Sequence, residues 1–309
     1  MTPQAPTIDV RNALMLLALA VLWGSSFFFY KVLIVALPPL SIAFGRVAIA
    51  ALCLNVWLAL RGKALPTDRR LWAQFTIMGM LGNAIPFALI ASGEAQISSG
   101  LAAILNATTP IFTVLVAHVA THDERLTGPR LGGVIAGLVG VLVLIGPQVL
   151  AGMGRGALWG EAACLVASAS YGLAGVYGRR FRGIDALTVT TGTVSASALA
   201  LVPLVLVFDR PWLLAMPGAA TWGGLLGIAL LCTVLAYVLY FRILAGAGAS
   251  NVSMVTLLLP FTAMLLGALF LGEHVPSRAV GALALIGLGF VLIDGRLLRR
   301  LRHVTSGMR

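Results

Sequence analysis

Charge is what this sequence has least of. Of its 309 residues only 10 are Asp or Glu and 21 are Lys or Arg, so charged residues make up 10% of the chain. A soluble domain carries roughly 25%, and a surface with so few ions cannot face water on all sides. Soluble enzymes and soluble binding modules are excluded on that ground. Acid is the scarcer sign, and no Asp or Glu falls in the middle of an apolar run; Glu94 and Glu161 lie near run ends, and Asp294 closes the last one. That absence weighs against a buried proton-carrying acid and leaves facilitated diffusion, or coupling through another group, open. Cysteine is as sparse. Cys53, Cys164 and Cys232 each sit inside an apolar run, which gives no disulfide framework and reads as small core hydrophobes. Catalytic motifs are missing too. Neither GxGxxG after a strand nor GxxxxGK followed by Ser or Thr occurs, and His118 and His122 enclose Val-Ala-Thr without the Glu of a HExxH site. No catalytic residue, metal or cofactor is expected, nor ATP hydrolysis by this chain alone.

What fills the chain instead is apolar sequence: 60% hydrophobic residues and a mean hydropathy of +1.00. A membrane-spanning helix needs about 20 mainly apolar residues. Ten such runs fit, near 12–35, 40–60, 71–93, 96–118, 129–147, 157–178, 186–208, 219–242, 247–271 and 277–294. The first is too long for the core of a cleaved signal and reads as a retained helix. No link between runs is long enough for a soluble domain. The net charge of +11 does not point to nucleic acid, because the charges sit in the short links, where basic residues set membrane orientation. With both ends inside, sixteen of the 21 Lys and Arg fall on the side of the termini. Lys31, Arg155, Arg210 and Arg278 fall on the other, and Arg46 lies within a run. Both termini are therefore expected in the cytoplasm, with residues 295–309 as a basic tail that acts as a cytoplasmic stop signal or lies on anionic lipid.

An internal repeat shows through. Trp23-Gly24 aligns with Tyr171-Gly172 at an offset of 148, and Asn83, Asn106 and Pro110 align with Thr233, Thr256 and Pro260 at 150. The expected units are 12–147 and 157–294, five helices each. Five is odd, so the second unit enters the membrane in the opposite sense. The expected fold is an all-α integral membrane protein, ten helices as two inverted five-helix repeats. Such repeats often hold a solute near the bilayer midplane, between the halves.

Polar residues are unevenly spread. Runs 5 and 10 contain no polar side chain from Leu131 to Pro147 or from Ala279 to Ile293, but many glycines, including Gly128-x3-Gly132 and Gly133-x3-Gly137. They read as scaffold, with close packing inside one chain or across a homodimer. The polar groups at mid-depth are in runs 1, 3, 4, 6, 8 and 9. The candidate substrate-binding residues are Trp23, Ser26, Phe27, Asn83, Asn106, Tyr171, Tyr237 and Thr256, a mixed aromatic and hydrogen-bonding set suited to a small molecule. Pro86, Pro110 and Pro260 are expected kinks flanking the cavity, since each removes a backbone donor and frees a carbonyl. Arg46, one to two turns inside run 2, shapes the path or makes an interhelical contact.

In its order of motifs the chain resembles the drug/metabolite transporter superfamily, of the type with two EamA domains. The residues that carry this are Trp23-Gly24-Ser25-Ser26-Phe27, Arg46, the run from Gly100 through Pro110 to Glu124, and, in the second half, Pro260, Gly272-Glu273 and Gly281 to Gly289. The resemblance implies a basket-like bundle with a central cavity, alternating access, and export of small metabolites from the cytoplasm across a bacterial inner membrane. It is nearest to bacterial exporters of amino acids, aromatic ones included. Efflux of drugs or other metabolites, or a non-transporting role such as a lipid flippase or receptor, stands as the alternative. The implied partners are a small-molecule substrate and membrane lipid.

Overall fold

The computed structural model describes residues 10–120, 127–150, 155–247, 252 and 255–294, and among these the apolar runs form ten helices and no strand. They are α1 Val10–Leu33, α2 Pro39–Leu60, α3 Arg69–Glu94, α4 Ser99–Ala120, α5 Gly128–Leu150, α6 Arg155–Tyr177, α7 Ala186–Asp209, α8 Ala219–Leu244, α9 Val255–Leu271 and α10 Ser277–Asp294. The links stay short because each helix start is fixed locally. Asp68 accepts from the Arg70 N–H at 3.0 Å at the head of α3, Ser98 from Leu101 at 3.3 Å for α4, and Asp185 from Thr188 at 3.2 Å for α7. Gly62, after α2, takes φ +67°, a turn that L side chains resist. The N-terminal part of the expected ninth run, His122, Glu124 and the tail 295–309 lie outside the described residues.

The helices pair as the repeat requires. α1 packs on α9 and α8, while its counterpart α6 packs on α4 and α3; α2 packs on α7, and α5 on α10. Exchanging the halves turns the α1 pairings into those of α6 and maps α2–α7 and α5–α10 onto themselves. Glycine sets the closest approaches. A Cβ on Gly24 would lie 2.6 Å from Thr262 Cβ and 2.9 Å from the Leu259 carbonyl of α9; one on its counterpart Gly172 would lie 2.9 Å from the backbone of Phe112 and Thr113 in α4. Both contacts adjoin the matched prolines, Pro260 and Pro110. In α5 and α10, Gly133 and Gly289 face each other, each Cβ position 2.5 Å from the other's carbonyl oxygen, whereas Gly128 and Gly132 meet nothing. The second of the two glycine pairs is thus the packing one, and it packs within the chain.

Three helices widen locally from the regular α form. α3 widens to a π-helix at Met80–Ala84, α8 at Gly227–Leu235 and α7 at Val205–Asp209. The first two are repeat counterparts at the same depth, and they hold Asn83 and Thr233. α4 breaks at Asn106, ahead of Pro110. The carbonyl of Leu105 there is taken by Thr108 and by Ser168 of α6, and that of Asn106 by Thr109.

Candidate functional site

At the middle of the bundle sits Arg46, 5% exposed. Its Nε donates to Thr233 Oγ1 at 2.9 Å, Nη1 to the Tyr30 hydroxyl at 2.8 Å and Nη2 to the Cys232 carbonyl at 3.2 Å. Its guanidinium lies 3.8 Å from the centre of the Phe87 ring and 5.6 Å from that of Tyr30. Every one of these partners is neutral. The wide turn of α8 positions the Thr233 hydroxyl, which accepts from Arg46 and donates to the carbonyl of Ile228 at 3.0 Å, five residues back. Such widened turns cluster at functional sites.

The counterpart turn in α3 holds Asn83. Its amide donates to Ser197 of α7 at 3.1 Å and its oxygen accepts from the Tyr237 hydroxyl of α8 at 3.2 Å. Ser170 of α6 takes up the Leu81 carbonyl in the same turn at 2.7 Å. Four helices from both halves therefore meet around one short polar layer.

Below this layer a cavity of about 440 Å³ opens on the face of the α2–α3 and α6–α7 links. Leu54, Trp57, Thr190, Tyr237 and Phe241 wall it, and Arg61, Lys63, Arg242 and Asp185 line it nearer the links. Lys63 and Asp185 join the two halves there at 3.1 Å, both about half exposed. Burial alone would push the Asp185 carboxyl up, but the Lys63 and Thr188 hydrogen bonds prevail and hold it below its ordinary value.

The opposite face is closed. Lys31 donates to the carbonyls of Glu94 and Ile97, tying α1 to the α3–α4 link. Asp209, ending α7, accepts from Ser41 N and Oγ at 2.6 and 2.7 Å; Glu273, after α9, accepts from Ser99 N at 3.0 Å and Oγ at 2.7 Å. In both cases a carboxylate from the second half caps the N-terminus of a first-half helix, where the dipole favours negative charge. Glu94 is wholly buried beside Lys31, and neither carboxylate oxygen has a hydrogen-bond partner among the described residues.

The expected site residues divide. Asn83 and Tyr237 come together directly, with Pro86 at the end of the Asn83 turn. Phe27 is buried in the main core, and half-buried Tyr171 packs against it. Trp23 lies elsewhere, against Tyr240 with ring centres 5.7 Å apart, in a separate cluster with α8 and α9. Ser26 and Asn106 are buried, each with an oxygen lacking a partner among the described residues. Thr256 is half-buried one turn before Pro260, which is buried inside α9. Arg46 makes interhelical contacts to α1 and α8. Sequence reasoning missed Tyr30, Ser197 and the three tethers of the closed face. Thr233 carried a signal, its alignment with Asn83, that went unused.

Several known proteins share this plan. The chain matches the model of the EamA-like transporter family twice, over residues 11–146 and 158–294. It is 28% identical over 289 residues to the Uncharacterized transporter YoaV of Bacillus subtilis, covering 92% of this chain and 96% of that one. It is 29% identical over 287 residues to the Uncharacterized inner membrane transporter YedA of Escherichia coli, covering 90% of this chain and 89% of that one. A solved crystal structure superposes with a TM-score of 0.66 at 19% identity, covering 94% of this chain and 99% of its own, and so shares the fold.

Proposed function

The chain belongs to the EamA-like transporter family and is a multi-pass membrane transporter, and on that premise we propose that it exports small metabolites from the cytoplasm by alternating access, with amino acids, neutral and aromatic, as the first substrates. The observation that carries the reading is one-sidedness. A cavity of about 440 Å³ runs in from one face and ends at Tyr237, one hydrogen bond from the central polar layer, while helix-capping carboxylates seal the other face. The open face bears the basic links, so the loop-charge bias supports assigning it to the cytoplasm. In this reading both termini are cytoplasmic, the membrane is a bacterial inner membrane, and the structure is the inward-open state. Aromatic walls with a few hydrogen-bonding groups suit a small amphipathic solute.

Two measurements test this. In proteoliposomes, counterflow of a labelled amino-acid panel, with and without a pH gradient, is expected to show flux for neutral or aromatic members. Flux of dyes or other metabolites with none for any amino acid overturns the substrate class. A C-terminal reporter active only in the cytoplasm is expected to be active; an inactive one reverses the orientation.

A further inference from the structure

A guanidinium in the middle of a membrane protein needs a counter-charge or a strong reason to do without one. Removing a cation from water is costly, and hydrogen bonds to neutral groups recover only part of that cost. Arg46 has three such hydrogen bonds and two ring faces, and no carboxylate among the described residues lies within ion-pair distance of it. A guanidinium carries five N–H donors, so two remain after these three bonds, one on each terminal nitrogen. Donors of this kind bond most strongly to a charged acceptor such as a carboxylate. A lysine could neutralise itself by losing its proton, but arginine stays charged. Among the described residues no side chain supplies the anion, and a bound molecule can.

Arg46, Ala50, Leu54 and Trp57 lie along one face of α2 at helical spacing, and Leu54 and Trp57 line the cavity. Arg46 is two turns, about 12 Å, further in. Tyr237, which lines the cavity, donates to Asn83 in the polar layer. The lining toward the links carries three cations, Arg61, Lys63 and Arg242, against the single anion Asp185, a balance that concentrates anions at the entrance. Nothing comparable waits for an ammonium group, since among the described residues neither the cavity lining beyond Asp185 nor the hydrogen-bonded central layer includes an acid.

We propose that Arg46 is the anchor for a carboxylate on the transported molecule, and that the site recognises that carboxylate together with an apolar or aromatic body while leaving the amine unread. The substrate class is then small organic acids, with amino acids as one subset; deaminated acids are accepted and amines lacking the carboxylate are not. This rests on the export reading above and narrows it.

The test uses the full chain in detergent and in liposomes, with 3-phenylpropionate, phenylalanine, phenylalanine methyl ester and phenethylamine as probes. Binding is read by thermal stabilisation and transport by flux. The two acids are expected to bind about 10- to 100-fold more tightly than the ester and the amine, the range that a charge-assisted pair supplies. Arg46→Gln is expected to erase that preference, and Arg46→Lys to keep a weaker one. The wild-type acid-to-ester ratio decides the matter even when Arg46→Gln does not fold. Equal binding of acids and amine, or an acid preference that survives in folded Arg46→Gln, overturns the anchor whatever the flux. Acid binding without amino-acid flux keeps the anchor and overturns amino-acid export. Neither binding nor flux for any probe overturns both.

Discussion

At the scale of single residues, this protein uses its few ions as connectors. Asp185 caps α7 and reaches Lys63 in the other half. Because its carboxyl is held below the ordinary value, its stabilising effect is complete above the carboxylate range and is lost as pH falls through the lowered value. Unfolding in detergent between pH 6 and about pH 3 is expected to show this loss. Asp185→Ala should cost about 1 kcal/mol at neutral pH, as lost helix caps do, and should flatten that part of the pH profile. An unchanged profile would assign the acid sensitivity to another group. Arg46 shows how far a single residue can be read from sequence. Its cost inside an apolar run was plain, but its partners Tyr30 and Thr233 were not. Which way a helix is rotated decides who meets whom, and apolar runs this uniform carry little record of rotation.

Among the elements, the irregular turns are the informative parts. The alignment of Asn83 with Thr233 already implied equivalent positions. That both would sit in widened turns was not legible, because a π-turn is one residue of slack in the hydrogen-bond ladder and has no composition of its own. The break in α4 was legible through Pro110, and the hydroxyls that take up the freed carbonyls are the neighbouring threonines and Ser168. Gly24 and Gly172 extend the same logic to packing, since each lets a helix of one half lie against the proline-bearing helix of the other. Gly172→Val is expected to destabilise by about 1–3 kcal/mol or more, the usual cost of overpacking, because the obstruction is backbone that cannot turn aside. Gly24→Val should act alike, and Gly132→Val, with open space around it, should not. Thermal unfolding of the three purified variants checks the ranking.

For the whole molecule, ten helices and a duplicated plan could be read from hydropathy and offsets, since membrane length and an odd helix count leave few alternatives. The closed face could not, because its tethers join residues 168 and 174 positions apart. If those tethers hold the face shut, Glu273→Gln is expected to open it more often. A cysteine replacing buried Ile97 should then react about tenfold faster with a membrane-impermeant maleimide, the factor for 1.4 kcal/mol, the scale of a hydrogen bond to a charged group. No acceleration in folded protein would remove Glu273 from the closure.

The unequal fastening of the two faces bears on timing. One face is held by two carboxylates that each grip both a hydroxyl and a helix end, the other by a half-exposed ion pair. On the proposed alternating-access cycle, an empty carrier of this build is expected to rest with its entrance facing the basic side and seldom to turn over unladen. The slow event in its cycle is then the first opening of the tethered face under load, and the homeward swing of the emptied protein runs downhill.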